Sequence, residues 1–359
     1  MQKEINSLCE SVGPAPDRFR TIQIHPTKKC NLTCLHCYSG SAPGYHEVLN
    51  LVDLKNFLGY AFDHGFNNIS VSGGEPFLYK DLEELLKFSR SVGYQNTLAS
   101  NGMLLKSERA KRTLDFVDLI AISIDGPQPL HDKIRNQTGA YDKMCQGLEV
   151  LKNMNKPFGI IHTVTPESWN SLIWLGEFAF SNGAKLLQLH PLEMYGRAID
   201  TLASEAIDED LAHKIFILGH YLVSKYDSQM IVQLDMLHRD YLLAHPQIVS
   251  GFERSCGQSG KLSDLLDTIV IEESGTILPV SYGFNPAYSI GNISNFSMSV
   301  FDDFEKKFIP DIKEIFNNTL SKIAENDTRD IVNWNELLID ESYRKSYAET
   351  DFRGLLAKV

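Results

Sequence analysis

Three cysteines within eight residues, Cys30, Cys34 and Cys37, are the side chains of this sequence best placed to do chemistry. They sit in Cys30-Asn-Leu-Thr-Cys34-Leu-His-Cys37-Tyr38, a C-x3-C-x2-C spacing. Three thiolates on one short loop converge on a metal. One option is a four-iron cluster, in which three protein thiolates leave one iron open to a further ligand. The other is zinc, which wants a fourth ligand and has His36 close by. The spacing alone favours iron–sulfur, because a zinc site with all four ligands in so short a stretch is unusual. The other cysteines, Cys9, Cys145 and Cys256, are scattered, unlike a disulfide framework.

The surrounding elements must hold that loop. From Thr21 to about Asp235 the sequence alternates β-like runs with amphipathic helical runs. The β-like runs are Thr21–His25, Asn68–Ser72, Gln95–Ser100, Val117–Asp125, Phe158–Thr163 and Lys185–His190. Between and after them lie helical patterns at Leu51–His64, Asp81–Val92, Ser107–Phe116, Tyr141–Met154, Trp169–Asn182 and Glu205–Lys225. Strand–helix alternation of this kind predicts a parallel α/β fold, either a partial barrel or an open sheet. Gly73-Gly74-Glu75-Pro76, Ser100-Asn101-Gly102 and Asp125-Gly126-Pro127 follow the second, third and fourth strands. Ligands bind at the carboxyl ends of strands in such folds, so these turns and the cysteine loop fall where a site is expected.

The cysteine loop resembles the cluster loop of the radical S-adenosylmethionine (SAM, AdoMet) superfamily, and so do the turns after the second, third and fourth strands. His131-Asp-Lys-Ile-Arg135 and Gly139-Ala-Tyr141 are similar to that family as well. The resemblance covers roughly residues 19–235 and implies a partial (βα)6 TIM-like barrel. It implies that Cys30, Cys34 and Cys37 bind one [4Fe–4S] cluster and that SAM chelates its open iron. Gly73 and Gly74 would let backbone approach the SAM amino group, with Glu75 accepting from that ammonium. Ser123 and Arg135 would bind the SAM carboxylate, and Asp125 and Asn101 would face ribose or cap their turns. Leu192 to Arg197 resembles a Gly-Arg motif of family members with a SPASM extension and is placed beside the adenine.

Strand alternation puts Ser123, Ala121 and Asp125 inward, and Gln23, His162, Gln188 and His190 are expected to line the lumen. His190 is a candidate catalytic residue. Thr268–Pro279 predicts a β-hairpin, followed by helices at Asp302–Glu325 and Trp334–Ala348. With Ser255-Cys256-Gly257 and Gly291-Asn292-Ile293, this hairpin resembles a SPASM/Twitch frame. Its second cysteine is replaced by Ser281, so no auxiliary cluster is expected. Cys256 is either a hydrogen-atom donor or a remnant. The implied division is a tail at 1–18, a barrel at 19–235, a degenerate SPASM/Twitch-like region at 236–300 and a helical segment at 301–359.

Apolar residues are 43% of the chain, enough for a large core. The net charge of −12 argues against nucleic acid, whose backbone needs basic surface. No signal peptide or membrane-spanning run is visible, which predicts a cytoplasmic location. The resemblance implies an enzyme that cleaves SAM to a 5′-deoxyadenosyl radical, fed by an electron donor such as flavodoxin or ferredoxin. A ribosomally made precursor peptide is the leading substrate class. A small molecule such as a sugar, nucleoside or cofactor precursor is the alternative, and a non-catalytic metal-binding module is a third reading.

Overall fold

A computed structural model describes residues 19–203, 206–254, 261–325 and 328–346. Cys9 and Cys256 lie outside them. The chain builds an α/β partial barrel from a mixed sheet. Strands β1 (Thr21–Ile24), β2 (Asn68–Val71), β3 (Gln95–Ser100), β4 (Leu119–Ser123), β5 (Phe158–Val164), β6 (Leu186–Pro191) and β7 (Ile231–Leu234) run parallel, each paired with the next. The last of these is a strand that the sequence pattern does not announce. It is four residues long and directly follows a helix, so its alternation is too brief to read.

Helices cover the outside. They are α1 (Leu51–Asp63), α2 (Leu82–Val92), α3 (Glu108–Leu114), α4 (Gln128–Ile134), α5 (Ala140–Asn153), α6 (Leu172–Ser181) and α7 (Glu209–Lys225). Local chemistry sets their ends. The Asn50 side chain accepts from the Val52 and Asp53 amides at the start of α1, Ser107 does the same for α3 and Asp208 for α7. Gly93 ends α2 at φ 120°, a conformation that disfavours any side chain. The helix-facing side of the strands is apolar: Ile22, Ile24, Ile69, Val71, Ile120, Ile122, Ile160, Leu187 and Leu189 are all fully buried. Each contributes roughly 1.5–3 kcal/mol by area. The lumen-facing side carries Gln23, Ser70, Thr97, Ser123, Thr163 and Gln188, which are partly accessible.

After β8 (Leu237–His238) comes the expected hairpin, β9 (Thr268–Ile271) and β10 (Thr276–Pro279), and then β11 (Gly291–Asn292). This hairpin does not form a sheet of its own. It pairs parallel with β1 in register Thr21↔Thr268 to Ile24↔Ile271, so one sheet runs β11-β10-β9-β1-β2-β3-β4-β5-β6-β7. Helices α8 (Val300–Glu325) and α9 (Trp334–Ser346) follow, and β12 (Ile331–Val332) between them pairs with β8. The side of the barrel between β7 and β1 is not closed by strand pairing. Among the described residues it is spanned by segments around 248–251, 265–268, 280–281, 316 and 334–335. Among the described residues no helix is long and apolar enough to cross a membrane.

Candidate functional site

The loop after β1 carries Cys30, Cys34 and Cys37, with Cys34 buried and the other two half-buried. Backbone bonds hold it from several sides: Cys30 N–H donates to Ala42 O, Leu35 N–H to Ile134 O and Arg197 N–H to Cys37 O, at 3.2, 2.9 and 2.9 Å. The Arg197 guanidinium adds bonds to the carbonyl oxygens of Cys34, Gly40 and Ser41 at 2.8, 3.0 and 2.6 Å. Gly196 sits at φ 55° with no room for a Cβ, which would lie 2.1 Å from Tyr38 O. The Gly-Arg turn after β6 therefore clamps the cysteine loop itself.

The turn after β2 presses on the same loop. Gly74 N–H donates to Thr27 O at 2.8 Å and Glu75 N–H to Lys29 O at 2.9 Å. A Cβ on Gly74 would stand 2.2 Å from the Lys29 carbonyl oxygen, and one on Gly73 about 3.0 Å from Thr27 O. Contact with the cysteine loop thus suffices to require both glycines.

Glu75 is buried and spends its carboxylate on Ser100 Oγ, Asn101 N–H and Phe77 N–H at 2.9, 3.0 and 3.2 Å. Burial nonetheless pushes its pKa up to about 7, against the pull of these donors and of Arg135. The Asn101 side chain donates to Asn31 Oδ1 at 2.8 Å, tying the turn after β3 to the cysteine loop.

Asp125 lies at the end of β4 with no solvent exposure. It accepts from His36 Nε2 at 3.0 Å and pairs with Arg135 Nε at 2.6 Å. Burial would raise its pKa, but Arg135 and His36 hold it well below the ordinary carboxylate range. Arg135 Nη1 also reaches Cys34 Sγ at 3.6 Å. Asp125 and Arg135 are therefore engaged with each other and with the cysteine loop. Ser123 is half-buried on the lumen side of β4, and Leu192 packs in a small apolar cluster with Ala198, Leu202 and Leu35.

One lumen expectation is corrected. His162 shares the helix-facing side of β5 with Ile160 and Val164, and both ring nitrogens are used, toward Ile124 O at 2.8 Å and Ser168 Oγ at 3.1 Å. It is a structural histidine. Gln23, Gln188 and His190 do line a cavity. The sequence reading missed their partner, Asp235. It follows β7, accepts from Gln188 and Gln233 at 3.2 and 2.8 Å, and pairs with His190 Nδ1. The β6–β7 register that brings Gln188 beside Gln233 is the signal that a single sequence does not carry.

The fold is a parallel α/β partial barrel with three thiols on the loop after its first strand. Residues 24–179 match the Radical SAM superfamily. Fe-coproporphyrin III synthase of Methanosarcina barkeri (strain Fusaro / DSM 804) is 27% identical over 198 residues, 55% of this chain and 48% of that protein. Antilisterial bacteriocin subtilosin biosynthesis protein AlbA of Bacillus subtilis (strain 168) is 24% identical over 278 residues, 74% of this chain and 56% of AlbA. The chain spans about half the length of these curated relatives. Among solved structures, anSMEcpe with bound AdoMet aligns at a TM-score of 0.61 and 16% identity, covering 94% of this chain and 95% of that one. It has also been solved with a bound Cp18Cys peptide.

Members of this superfamily use a [4Fe–4S] cluster and AdoMet, and the residues present fit both. The sulfur atoms of Cys30, Cys34 and Cys37 do not all lie within 4.8 Å of one another. Among the described residues the donors that do so are Glu209, His213 and Asp330 at the surface. Thiolates on one zinc ion, at Zn–S of about 2.3 Å, stand about 3.8 Å apart. At least one pair of the three sulfur atoms stands wider than that, and His36, the fourth zinc ligand considered, is engaged by Asp125. Burial pushes the Cys30 thiol up to about 12 with help from Glu75 and the other two cysteines, so a cationic centre is what would hold the loop as thiolates.

The Arg197 clamp makes a prediction. Arg197→Ala removes three charge-assisted bonds, each worth about 1.5–3 kcal/mol. Reconstituted protein is expected to release iron to a chelator several-fold faster than wild type, measured by the absorbance of the ferrous complex. Unchanged release would show that the backbone bonds alone hold the loop.

Proposed function

We propose that this chain is an AdoMet-dependent radical enzyme that takes a hydrogen atom from a peptide substrate. The observation that carries the reading is the cysteine loop. It gathers three thiols within eight residues, and it is fixed from three sides by Gly74–Glu75, Asp125–Arg135 and Gly196–Arg197. When bound, the cluster and AdoMet supply reductive cleavage to methionine and a hydrogen-abstracting 5′-deoxyadenosyl radical. Cys30, Cys34 and Cys37 would hold the cluster. Glu75 would receive the AdoMet ammonium, with Gly73, Gly74, Asn101 and Ser123 shaping its walls. Asp125 and Arg135 orient the loop rather than the substrate. The cluster's electron would come from a small carrier protein such as a flavodoxin or ferredoxin.

A peptide substrate is supported by AlbA's part in making a bacteriocin and by the peptide bound to anSMEcpe. The match to a porphyrin-forming synthase supports the second reading, a small molecule. No cysteine follows Cys256 in the sequence, which supports a single cluster.

Anaerobically reconstituted protein is expected to hold about four irons and, with dithionite and AdoMet, to form 5′-deoxyadenosine. A colourless protein, or iron without 5′-deoxyadenosine, would refute the enzyme reading, and about eight irons would refute the single cluster. Deuterium passing into 5′-deoxyadenosine from a Cα-deuterated peptide supports the peptide reading. Transfer only from a small molecule overturns it.

A further inference from the structure

A cavity of about 640 Å³ opens between the two ends of the barrel, lined by β1, β6 and β7 on one side and by the segments that bridge them on the other. That volume is in the range of ligand pockets. Its polar wall has an unusual composition. Three carboxamides, Gln23, Gln188 and Gln233, face it together with Asn335 and the hydroxyls of Thr268 and Ser281. The Ser281 hydroxyl is buried and makes no hydrogen bond within the protein. Among the described residues the ionisable lining groups are His190, Asp235 and Asp267, and none is Lys or Arg.

Asp235 is the hub of this wall. It collects His190 Nδ1, Gln188 Nε2 and Gln233 Nε2, and with three donors it is held below the ordinary carboxylate range despite its burial. His190 is 41% exposed at its side chain, deep inside the protein, as a cavity wall is. Its Nδ1 is taken, so Nε2 is the nitrogen able to meet a ligand. Burial opposes the charged ring, but the Asp235 carboxylate, with Glu193 nearby, outweighs it and raises the pKa.

A wall without Lys or Arg gives a carboxylate or phosphate little to bind. A carboxylate already spent on the His190 ring and two amides leaves little for an ammonium. Carboxamides and hydroxyls both donate and accept, and their natural complement is a group that does the same without net charge. We propose that this cavity takes an amide group of the substrate, a peptide unit or a carboxamide side chain, against His190 Nε2, with Asp235 as the positioning residue that fixes the ring. The inference rests on the peptide reading above and narrows it.

The test uses full-length protein labelled at histidine ¹³Cε1, with His190→Gln assigning the resonance. In wild type, His190 is expected to titrate above 6.5. Asp235→Asn should lower that value and Asp235→Glu should restore it, with circular dichroism checking each fold. N-acetylglycinamide at millimolar concentration should shift the His190 signal, while propionate at the same concentration should not. This comparison needs no variant beyond the assignment. A wild-type value at or below 6.5, an Asp235→Asn value equal to wild type, no response to the amide, or an equal response to propionate would each overturn the proposal. None of these readings requires the cluster. A chain that forms no 5′-deoxyadenosine would end the enzyme reading while leaving this result to be judged separately.

Discussion

Alanine at Asp125 is expected to destabilise the protein by about 3–5 kcal/mol, the cost of removing one partner of a buried ion pair. The carboxylate has no solvent exposure and is the meeting point of His36 in the cysteine loop and Arg135 at the end of α4. Its loss leaves the Arg135 guanidinium buried without its counter-ion. Asp125→Asn keeps the shape and one acceptor, and should fall between alanine and wild type. Urea denaturation at pH 7 reads both, and an alanine effect below about 1 kcal/mol would contradict the pairing.

The acid dependence has a definite sign. Asp125 has a folded pKa below its ordinary 3.8, so its contribution is complete above 3.8 and is lost as the pH falls below that value. The alanine variant should therefore lose less stability than wild type between pH 4 and pH 2. Glu75 works the other way. Raised to about 7 from 4.5, it favours folding more as the pH drops from 7 to 4.5. Buried His25, His131 and His162, held below their ordinary 6.5, oppose it over the same interval, so Glu75's share is read as the difference between wild type and Glu75→Gln.

The second large effect concerns the cysteines. Replacing Cys30, Cys34 and Cys37 together with alanine is expected to take iron from about four per chain to none, abolish the brown absorbance and stop 5′-deoxyadenosine formation. The loop should still fold, because Arg197, Asn101 and the backbone bonds from Leu35 and Gly74 hold it without the thiols. Near-wild-type circular dichroism with no iron is the predicted pair of results. Iron retained by the triple variant would move the metal centre elsewhere.

The cysteine loop was legible in the sequence because its meaning is local: three residue types at fixed spacing. The six long strands and their helices were legible for the same reason, through periodicity. Phase was harder. Ser123 points into the lumen on β4, and its register partner Ile161 does so on β5 with Thr163, which leaves His162 facing the helices; only the register, not the sequence, shows this. A lone polar residue in an apolar strand looked like a lumen residue, yet Ile124 O and Ser168 satisfy it locally. The Asp235–His190 pair and the Arg197 clamp are long-range contacts whose partners the chain brings together only through strand register and loop closure. The hairpin was foreseen as an element but not as a neighbour of β1, since nothing in Thr268–Ile271 names its partner.

That pairing bears on how the chain reaches its structure during synthesis. β1 leaves the ribosome well ahead of β9, so one of its two edges waits for a strand made more than two hundred residues later. Until then Ile22 and Ile24 belong to an open strand edge, the kind of surface that recruits other chains. Contacts so distant in sequence also close slowly. The C-terminal hairpin therefore acts as the late seal of the barrel, and chains halted before Thr268 should be the aggregation-prone population.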